Sequence, residues 1–328
     1  MKILVTGSEG FLMQAVIPRL LAAGHEVVGV DNFFRYRKVE RERPYRLIEG
    51  DLSDESFVRR VVTADLDGII QSAARVFGVA GLRAYAADIL ARDVTLHQNI
   101  LWTAKDVPNI KRVVFISSSM VYERSERVPT IEDDLDEMRI PVTDYGLSKL
   151  FGERLSRAFQ RQYGVEFTFW RPFNIITPFE RSERERGFSH AFADFIDRLI
   201  IQKANPLRVL GDGQQVRCFT WIEDVAAAIA THSFDERTRN ESFNLGNPEP
   251  ITMLELARTI FAVGQEKGAI ATGQELRFEH LPAFPDDVRI QTPSVDKAAR
   301  LLGWKAQVTT REAVTRCIEQ VLSSGEIR

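Results

Sequence analysis

Residues Ile3-Leu4-Val5-Thr6-Gly7-Ser8-Glu9-Gly10-Phe11-Leu12-Met13 decide the fold. Three apolar residues of strand character run into a turn with glycines at 7 and 10, and then into an amphipathic stretch over 10–23. Such a strand, turn and helix lets backbone N–H groups and the helix N-terminus face a pyrophosphate, with glycine permitting close approach. A glycine pair by itself is equally well a tight turn. The next apolar run, however, ends Val27-Val28-Gly29-Val30-Asp31, placing a carboxylate 21 residues after Gly10, where a ribose 2′-hydroxyl needs an acceptor. The third glycine of such turns, which lets helix and strand pack closely, is replaced by Met13. Helix and strand must therefore move apart, or the Met13 side chain must find another pocket; the two glycines that carry the phosphate contact remain, so binding with a shifted helix is expected.

Outward from this unit, short β-rich runs alternate with longer amphipathic ones, the pattern of a parallel sheet with crossover helices. Strands are predicted at 2–6, 26–31, 45–50, 67–72, 111–117 and 165–170, several apolar throughout, as strands buried on both faces should be. Helices are predicted at 10–23, 53–64, 84–106 and 145–163. After Asn174 the rhythm changes. A charged stretch over 180–186 precedes a helix over 188–203, short strands near 207–210 and 242–244, and a helix over 224–232. Helices near 252–263, 295–302 and 310–323 complete the chain. The expected architecture is α/β, a Rossmann-type doubly wound parallel sheet with a smaller C-terminal α/β substrate lobe. Residues 1–173 with about 214–246 form the first, and 174–213 with about 247–328 the second.

The 328 residues carry a formal net charge of −3, which argues against a general nucleic-acid or polyanion binder. With 44% hydrophobic and 27% charged residues the chain is of ordinary globular composition, long enough to bury a core without disulfide or metal staples. Only two cysteines occur, Cys218 and Cys317, which excludes a secreted disulfide scaffold and makes a reducing cytosol the expected compartment. The apolar run at the start is too short for a signal-peptide core. No run of 18 apolar residues exists, so no membrane span is expected. The five histidines show no paired helical spacing, and no metal site is expected.

Tyr145 and Lys149 stand at i and i+4 at the start of a predicted helix, so both side chains project from one face. Chance produces that spacing often. The serine cluster Ser117-Ser118-Ser119, at the end of the strand predicted over 111–117, gives it weight, because open α/β sheets bind ligands outside the carboxyl ends of their strands. Together they offer a phenol, an ammonium to acidify it and a hydroxyl to orient a substrate oxygen. A phenol has an ordinary pKa of about 10. An ammonium roughly 4 Å away at an effective dielectric near 20 is worth about 4 kcal/mol, or about three pKa units, enough to give a base near neutrality.

At this point the chain resembles a family, the NAD-dependent nucleotide-sugar epimerases and dehydratases of the extended short-chain dehydrogenase/reductase type. The resemblance runs through Thr6-Gly7-Ser8-Glu9-Gly10-Phe11, Asp31-Asn32, Gly50-Asp51-Leu52 and Ser72-Ala73-Ala74. It continues through Ser117-Ser118-Ser119-Met120-Val121-Tyr122, Tyr145-Gly146-Leu147-Ser148-Lys149 and Arg171-Pro172-Phe173-Asn174. Further on come Gly211-Asp212-Gly213-Gln214 with Arg217, then Asp224-Val225, Phe243-Asn244-Leu245-Gly246 and Leu301-Leu302-Gly303-Trp304. Any one of these is common; their joint order is specific.

The resemblance implies NAD held by Gly7, Gly10, Phe11, Asp31, Asn32, Ser117 and Pro172, with Asp51 and Leu52 at the adenine and Ala73 and Ala74 near the diphosphate. It implies Tyr145 as base, Lys149 also on the nicotinamide ribose, and Ser118 as the catalytic Ser/Thr. Asn174 and Arg217, with Arg289 as a weaker candidate, would contact the diphosphate of a nucleotide-sugar substrate, a task an Arg fork suits. Ser119, Met120 and His190 would face the sugar; for His190 a plain helix-start residue is the alternative. A homodimer is implied, pairing helices 84–106 and 145–163 through apolar residues such as Leu90, Leu101 and Trp102. Departures from the pattern are Met13, Gln71 for His, Asp93 for Asn and Thr177 for Gly.

The run Arg35-Tyr36-Arg37-Lys38 just past Asp31 leaves open a 2′-phosphate partner and hence NADP. Cys218 beside Arg217 is a candidate acid or an inert buried thiol. The expected activity is C4 epimerisation through a transient 4-keto sugar. The alternatives are dehydration or net oxidation of a nucleotide sugar, or a non-catalytic dinucleotide-sensing regulator.

Overall fold

The computed structural model describes all residues except 37, 39, 40, 137–139, 181–188, 285, 286 and 324–328. The chain begins β1 (Lys2–Thr6), α1 (Phe11–Ala22), β2 (Glu26–Asp31), β3 (Arg46–Glu49), α2 (Glu55–Val61) and β4 (Gly68–Gln71). Next come α3 (Val79–Ala84), α4 (Ala86–Ala104), β5 (Arg112–Ile116), α5 (Asp144–Tyr163), β6 (Glu166–Pro172), β7 (Ile175–Ile176) and α6 (Ala191–Ile196). They are followed by β8 (Leu207–Leu210), β9 (Val216–Cys218), β10 (Thr220–Trp221), α7 (Ile222–His232), β11 (Glu241–Leu245), β12 (Pro250–Thr252) and α8 (Met253–Glu266). The last elements are β13 (Phe278–Leu281), β14 (Ile290–Gln291), α9 (Asp296–Leu302) and α10 (Thr310–Ser323).

Ile3, Leu4 and Val5 of β1 are fully buried, as are Val113 and Val114 of β5. Strands apolar on both faces can sit only inside a sheet covered on both sides. They do so in a seven-stranded sheet of order β11-β6-β5-β4-β1-β2-β3, parallel at every pairing. α1 and α7 share one apolar cluster with the sheet, and α2, α4 and Phe159 of α5 share the other. The order reverses between β1 and β4, so the carboxyl ends of β1, β4 and β5 open a crevice at the switch point. β11 joins this sheet from far along the chain, Asn244 facing Arg171 across the ladder. The smaller sheets β12-β9-β14, β13-β8 and β10-β7 belong to the C-terminal half.

Met13 is fully buried, in the cluster to which β1 contributes Ile3 and Val5 and α7 contributes Ala226 and Ala228. An unbranched thioether adapts to such a gap where a branched side chain would not. The helix predicted over 84–106 breaks at Tyr85, whose φ of −123° and ψ of 28° separate α3 from α4. The one predicted over 188–203 begins at Ala191 and passes at Asp197–Ile201 into a π-turn; Phe188 and residues 181–186 of the charged stretch lie outside the described residues. Leu101, expected on an outward dimer face, is buried in the core, and the helical rotation of 100° to the next residue leaves Trp102 exposed instead. Among the described residues no helix is long and apolar enough to cross a membrane.

Candidate active site

The turn after β1 is built for close approach. Gly7 has φ +64°, and a Cβ there would lie 2.9 Å from the backbone N and Cα of Ala73. Thr6 fastens the same junction, its hydroxyl accepting from the N–H groups of Ser72 and Ala73 at 3.1 Å and donating to Gln71. Gln71 is thus part of the joint between β4 and β1, its amide also donating to the Ala73 carbonyl at 3.3 Å. Gly10 is the N-cap of α1 and puts no side chain over the helix N-terminus. A dinucleotide pyrophosphate fits this cradle on backbone grounds alone.

Asp31 ends β2 with its carboxylate accepting from the N–H of Glu9 at 2.9 Å and of Phe33 at 2.8 Å. Burial pushes its pKa up, against those two bonds. Asp51 is also partly buried, but bonds from Ser53 and the Asn32 amide outweigh that and hold its carboxyl low.

At the end of β5 the short helical turn Ser119–Tyr122 brings Ser118 against the start of α5. Gly146 permits the approach, since a Cβ there would lie 2.6 Å from the Met120 carbonyl. Thr143 caps the helix through the Gly146 N–H at 3.0 Å, and Glu123 accepts from the N–H groups of Val142 and Thr143 at 2.6 and 2.8 Å. Tyr145, so placed, lines the cleft beside Ser118. One turn on, Lys149 is buried, its Nζ donating to the Ile116 carbonyl at 2.9 Å. Another turn on, Glu153 accepts from Ser117 at 2.6 Å and from Arg171 Nε and Nη2 at 2.9 and 2.7 Å.

The acidified phenol expected from the sequence is corrected here. Burial raises the Tyr145 pKa and Asp93 raises it further, the Ser118 side chain opposing them. The Lys149 ammonium lies 5.6 Å from the Tyr145 ring centroid and is spent on the Ile116 carbonyl, its own pKa lowered by burial.

Asp93 accepts from the Arg75 N–H at 2.8 Å, and burial lifts its carboxyl to about 6, against the pull of Lys149 and Arg75. The folded protein therefore holds this proton more tightly than the unfolded chain. The stability that comes with it is complete below the ordinary value of 3.8 and is lost as pH rises through about 6. Asp93→Asn is expected to flatten the pH dependence of unfolding between about pH 4 and 6 and to raise the midpoint at pH 8. Thermal melts across that range check this, and parallel curves for the two proteins would contradict it.

On the side of the C-terminal half, Asn174 donates to the Cys218 carbonyl at 3.2 Å, and Arg217 pairs with Asp287 at 2.7 Å. His190 Nδ1 lies 2.6 Å from Glu180, whose buried carboxylate also takes Arg35 at 3.1 Å. Arg35 is thereby committed to a carboxylate, and Arg37 lies outside the described residues. Cys218 is fully buried, its thiol pushed up to about 12. Of the catalytic, cofactor and substrate residues implied by the resemblance, all but Arg289 line one cleft of about 640 Å³, running from the glycine turn to Asn174 and Arg217. Arg289 pairs with Asp212 at 2.7 Å, is 60% exposed, and stands outside it.

Sequence reasoning missed Glu153, Glu180 and Glu9. Glu153 carried a signal, since Tyr145, Lys149 and Glu153 at i, i+4 and i+8 share one helix face. Glu180 carried none, because its partners Arg35 and His190 come from separate stretches of chain.

The family profile described as the NAD dependent epimerase/dehydratase family matches residues 3–246. UDP-glucuronic acid decarboxylase 1 of Danio rerio is 28% identical over 97% of this chain and 72% of its own length. UDP-glucuronate 4-epimerase of Thermodesulfobacterium geofontis is 26% identical over 96% of this chain and 94% of its own. Among solved structures, MoeE5 in complex with UDP-glucuronic acid and NAD superposes with a TM-score of 0.80 at 27% identity, over 99% of this chain and all of that one. The chain belongs to the NAD dependent epimerase/dehydratase family, and its cofactor is NAD.

Proposed function

We propose that the protein is a nucleotide-sugar epimerase that inverts C4 of the sugar through a transient 4-keto intermediate. The observation that carries this reading is the group at the end of β5. Ser118, Tyr145 and Lys149 line the cleft together, the Lys149 ammonium is buried, and neither residue 119 nor 120 is ionisable. NAD, when bound, supplies the reversible two-electron exchange that a transient oxidation needs. The glycine turn with Phe11 would hold its pyrophosphate, Asp31 and Asn32 its ribose, Asp51 and Leu52 its adenine, and Ala73, Ala74, Ser117 and Pro172 the remainder. This gives the NAD-binding role to 1–173 with about 214–246, and the sugar-nucleotide role to the rest.

Tyr145 takes the C4 hydroxyl proton and gives it back after the sugar has turned over. Ser118 donates to the same oxygen while it is a carbonyl, and Lys149, one turn on, would hold the nicotinamide ribose. Asn174 and Arg217 hold the diphosphate, and Ser119, Met120 and His190 wall the sugar. Dehydration across C5 and C6 demands an acid and a base beside the sugar. Ser119 and Met120 can be neither near neutral pH, His190 is engaged by Glu180, and Cys218 is buried outside the cleft lining. C4 inversion asks for no further acid.

Incubation with a panel of nucleotide sugars, UDP-glucuronic acid included because relatives act on it, separates the chemistries by NMR. The expected product is the C4 epimer. Loss of water or of carbon dioxide from any of the panel, or a net oxidised sugar, would overturn the reading.

The protein is further expected to be a homodimer joined through α4 and α5. Trp102, Phe151 and Tyr163 are each about 40% exposed there, and Trp102 and Tyr163 lie 5.9 Å apart as one apolar patch. Light scattering should give twice the 37.3 kDa chain mass, and a monomer mass would refute it.

A further inference from the structure

Three side chains from one loop close on Glu9 in the middle of the glycine turn. Arg43 grips its carboxylate as a fork, Nε to Oε1 at 3.0 Å and Nη2 to Oε2 at 2.9 Å. Arg41 Nη2 reaches Oε2 at 3.1 Å, and the Tyr45 hydroxyl donates to Oε1. The Glu9 side chain is only 9% exposed, yet Glu9 lines the cleft, and its own N–H is the donor that fixes Asp31 Oδ2 at 2.9 Å. Two carboxylates and two guanidiniums are therefore gathered at the end of the cleft where Asp31 meets the adenosine ribose.

We propose that Glu9 selects NAD against NADP, by committing Arg43 and Arg41 to its own carboxylate and by setting a second negative charge beside Asp31. The proposal rests on the reading of this cleft as a dinucleotide site. A guanidinium fork fits a phosphate as well as a carboxylate, so the same two arginines suit a 2′-phosphate in geometry and charge. Glu9, carried by the turn itself, is always there to take them. Its carboxylate stays ionised: burial opposes this, but the Arg43 and Tyr45 bonds hold its pKa below the usual range. Arg35, the remaining described arginine just past Asp31, is likewise held, by Glu180.

A purely mechanical role, anchoring loop 41–45 to the turn, makes a different prediction, because loosening the loop weakens both cofactors alike. Selection moves their ratio. Neutralising Glu9 raises the local charge by one unit, and NADP carries close to two extra negative charges on its 2′-phosphate. One unit of charge acting on a dianion about 7 Å away across partly hydrated protein changes its affinity by about tenfold.

The experiment titrates the full chain with NADH and with NADPH, followed by nicotinamide fluorescence, for wild type, Glu9→Gln, Arg43→Met and the double variant. Wild type is expected to prefer NADH. Glu9→Gln should tighten NADPH by about tenfold while NADH moves by less than about threefold. The double variant should lose most of that gain. Glu9→Ser reads the same ratio should the amide variant fail to fold. An unmoved ratio, or equal weakening of both nucleotides, overturns the proposal while leaving the cofactor site intact. Wild type that binds neither nucleotide overturns the dinucleotide reading of the cleft, and the proposal with it.

Discussion

Tyr145→Phe is expected to lower turnover by about 10²–10⁴-fold, the usual cost of losing a positioned general base, while NADH binds as before. Only one oxygen leaves. The ring remains packed against the cluster of Phe77, Leu82 and Ile89, so the wall of the cleft keeps its shape. The lost hydroxyl holds no element of the glycine turn or of β2, whose Asp31 is fixed by the N–H groups of Glu9 and Phe33. Folding should not suffer, since a buried hydroxyl whose ionised form is disfavoured by burial and by Asp93 contributes nothing as a charge to the resting protein. The measurements are product formation by NMR, NADH titration by fluorescence, and the thermal midpoint. Turnover within about threefold of wild type would remove Tyr145 from the role of base.

How this site could be read from the chain, and where that reading stopped, follows from the range of the interactions concerned. The central sheet was legible because Ile3-Leu4-Val5 and its counterparts are apolar on both faces, a property of the strand alone. The pair Tyr145 and Lys149 was legible for the same reason, since helix periodicity aligns i with i+4 whatever lies around it. β10 and β7 were not legible. Each has two residues, and each exists only because Thr220 and Trp221 meet Ile175 and Ile176 from a distant part of the chain.

Arg217, and more weakly Arg289, were candidates for the same task in the sequence. Their fates differ because Asp287 holds one in the cleft and Asp212 draws the other to the surface, a choice between two acids that spacing cannot make. The phenol was misjudged for a related reason. Distance to Lys149 was the only term available from sequence, whereas burial and the neighbouring Asp93 both act in the opposite direction. With its pKa so raised, Tyr145 would serve as the proposed base only if bound cofactor or substrate helped it to ionise.

The largest expected loss of stability lies beneath α5. Arg171 is wholly buried in β6, and Glu153 of α5, 2% exposed, meets it through two bonds at 2.9 and 2.7 Å. Arg171 Nη1 donates to the Tyr122 hydroxyl and to the Glu132 carbonyl. Burying such a pair gains little against the loss of hydration, but removing one member leaves the other as an uncompensated charge, at a cost of about 3–5 kcal/mol. Glu153→Ala should therefore destabilise the protein by about that amount in chemical unfolding. It also deprives Ser117 of its acceptor at the mouth of the cleft. Replacing both partners by apolar residues, Glu153→Leu with Arg171→Met, removes the charge along with its counter-charge, so the double variant should be more stable than Glu153→Ala. A single variant within about 1 kcal/mol of wild type would mean that Tyr122 and Glu132 alone satisfy Arg171. A double variant no better than the single would mean that the pair is worth its full attraction, and that α5 is held to the sheet by charge rather than by packing.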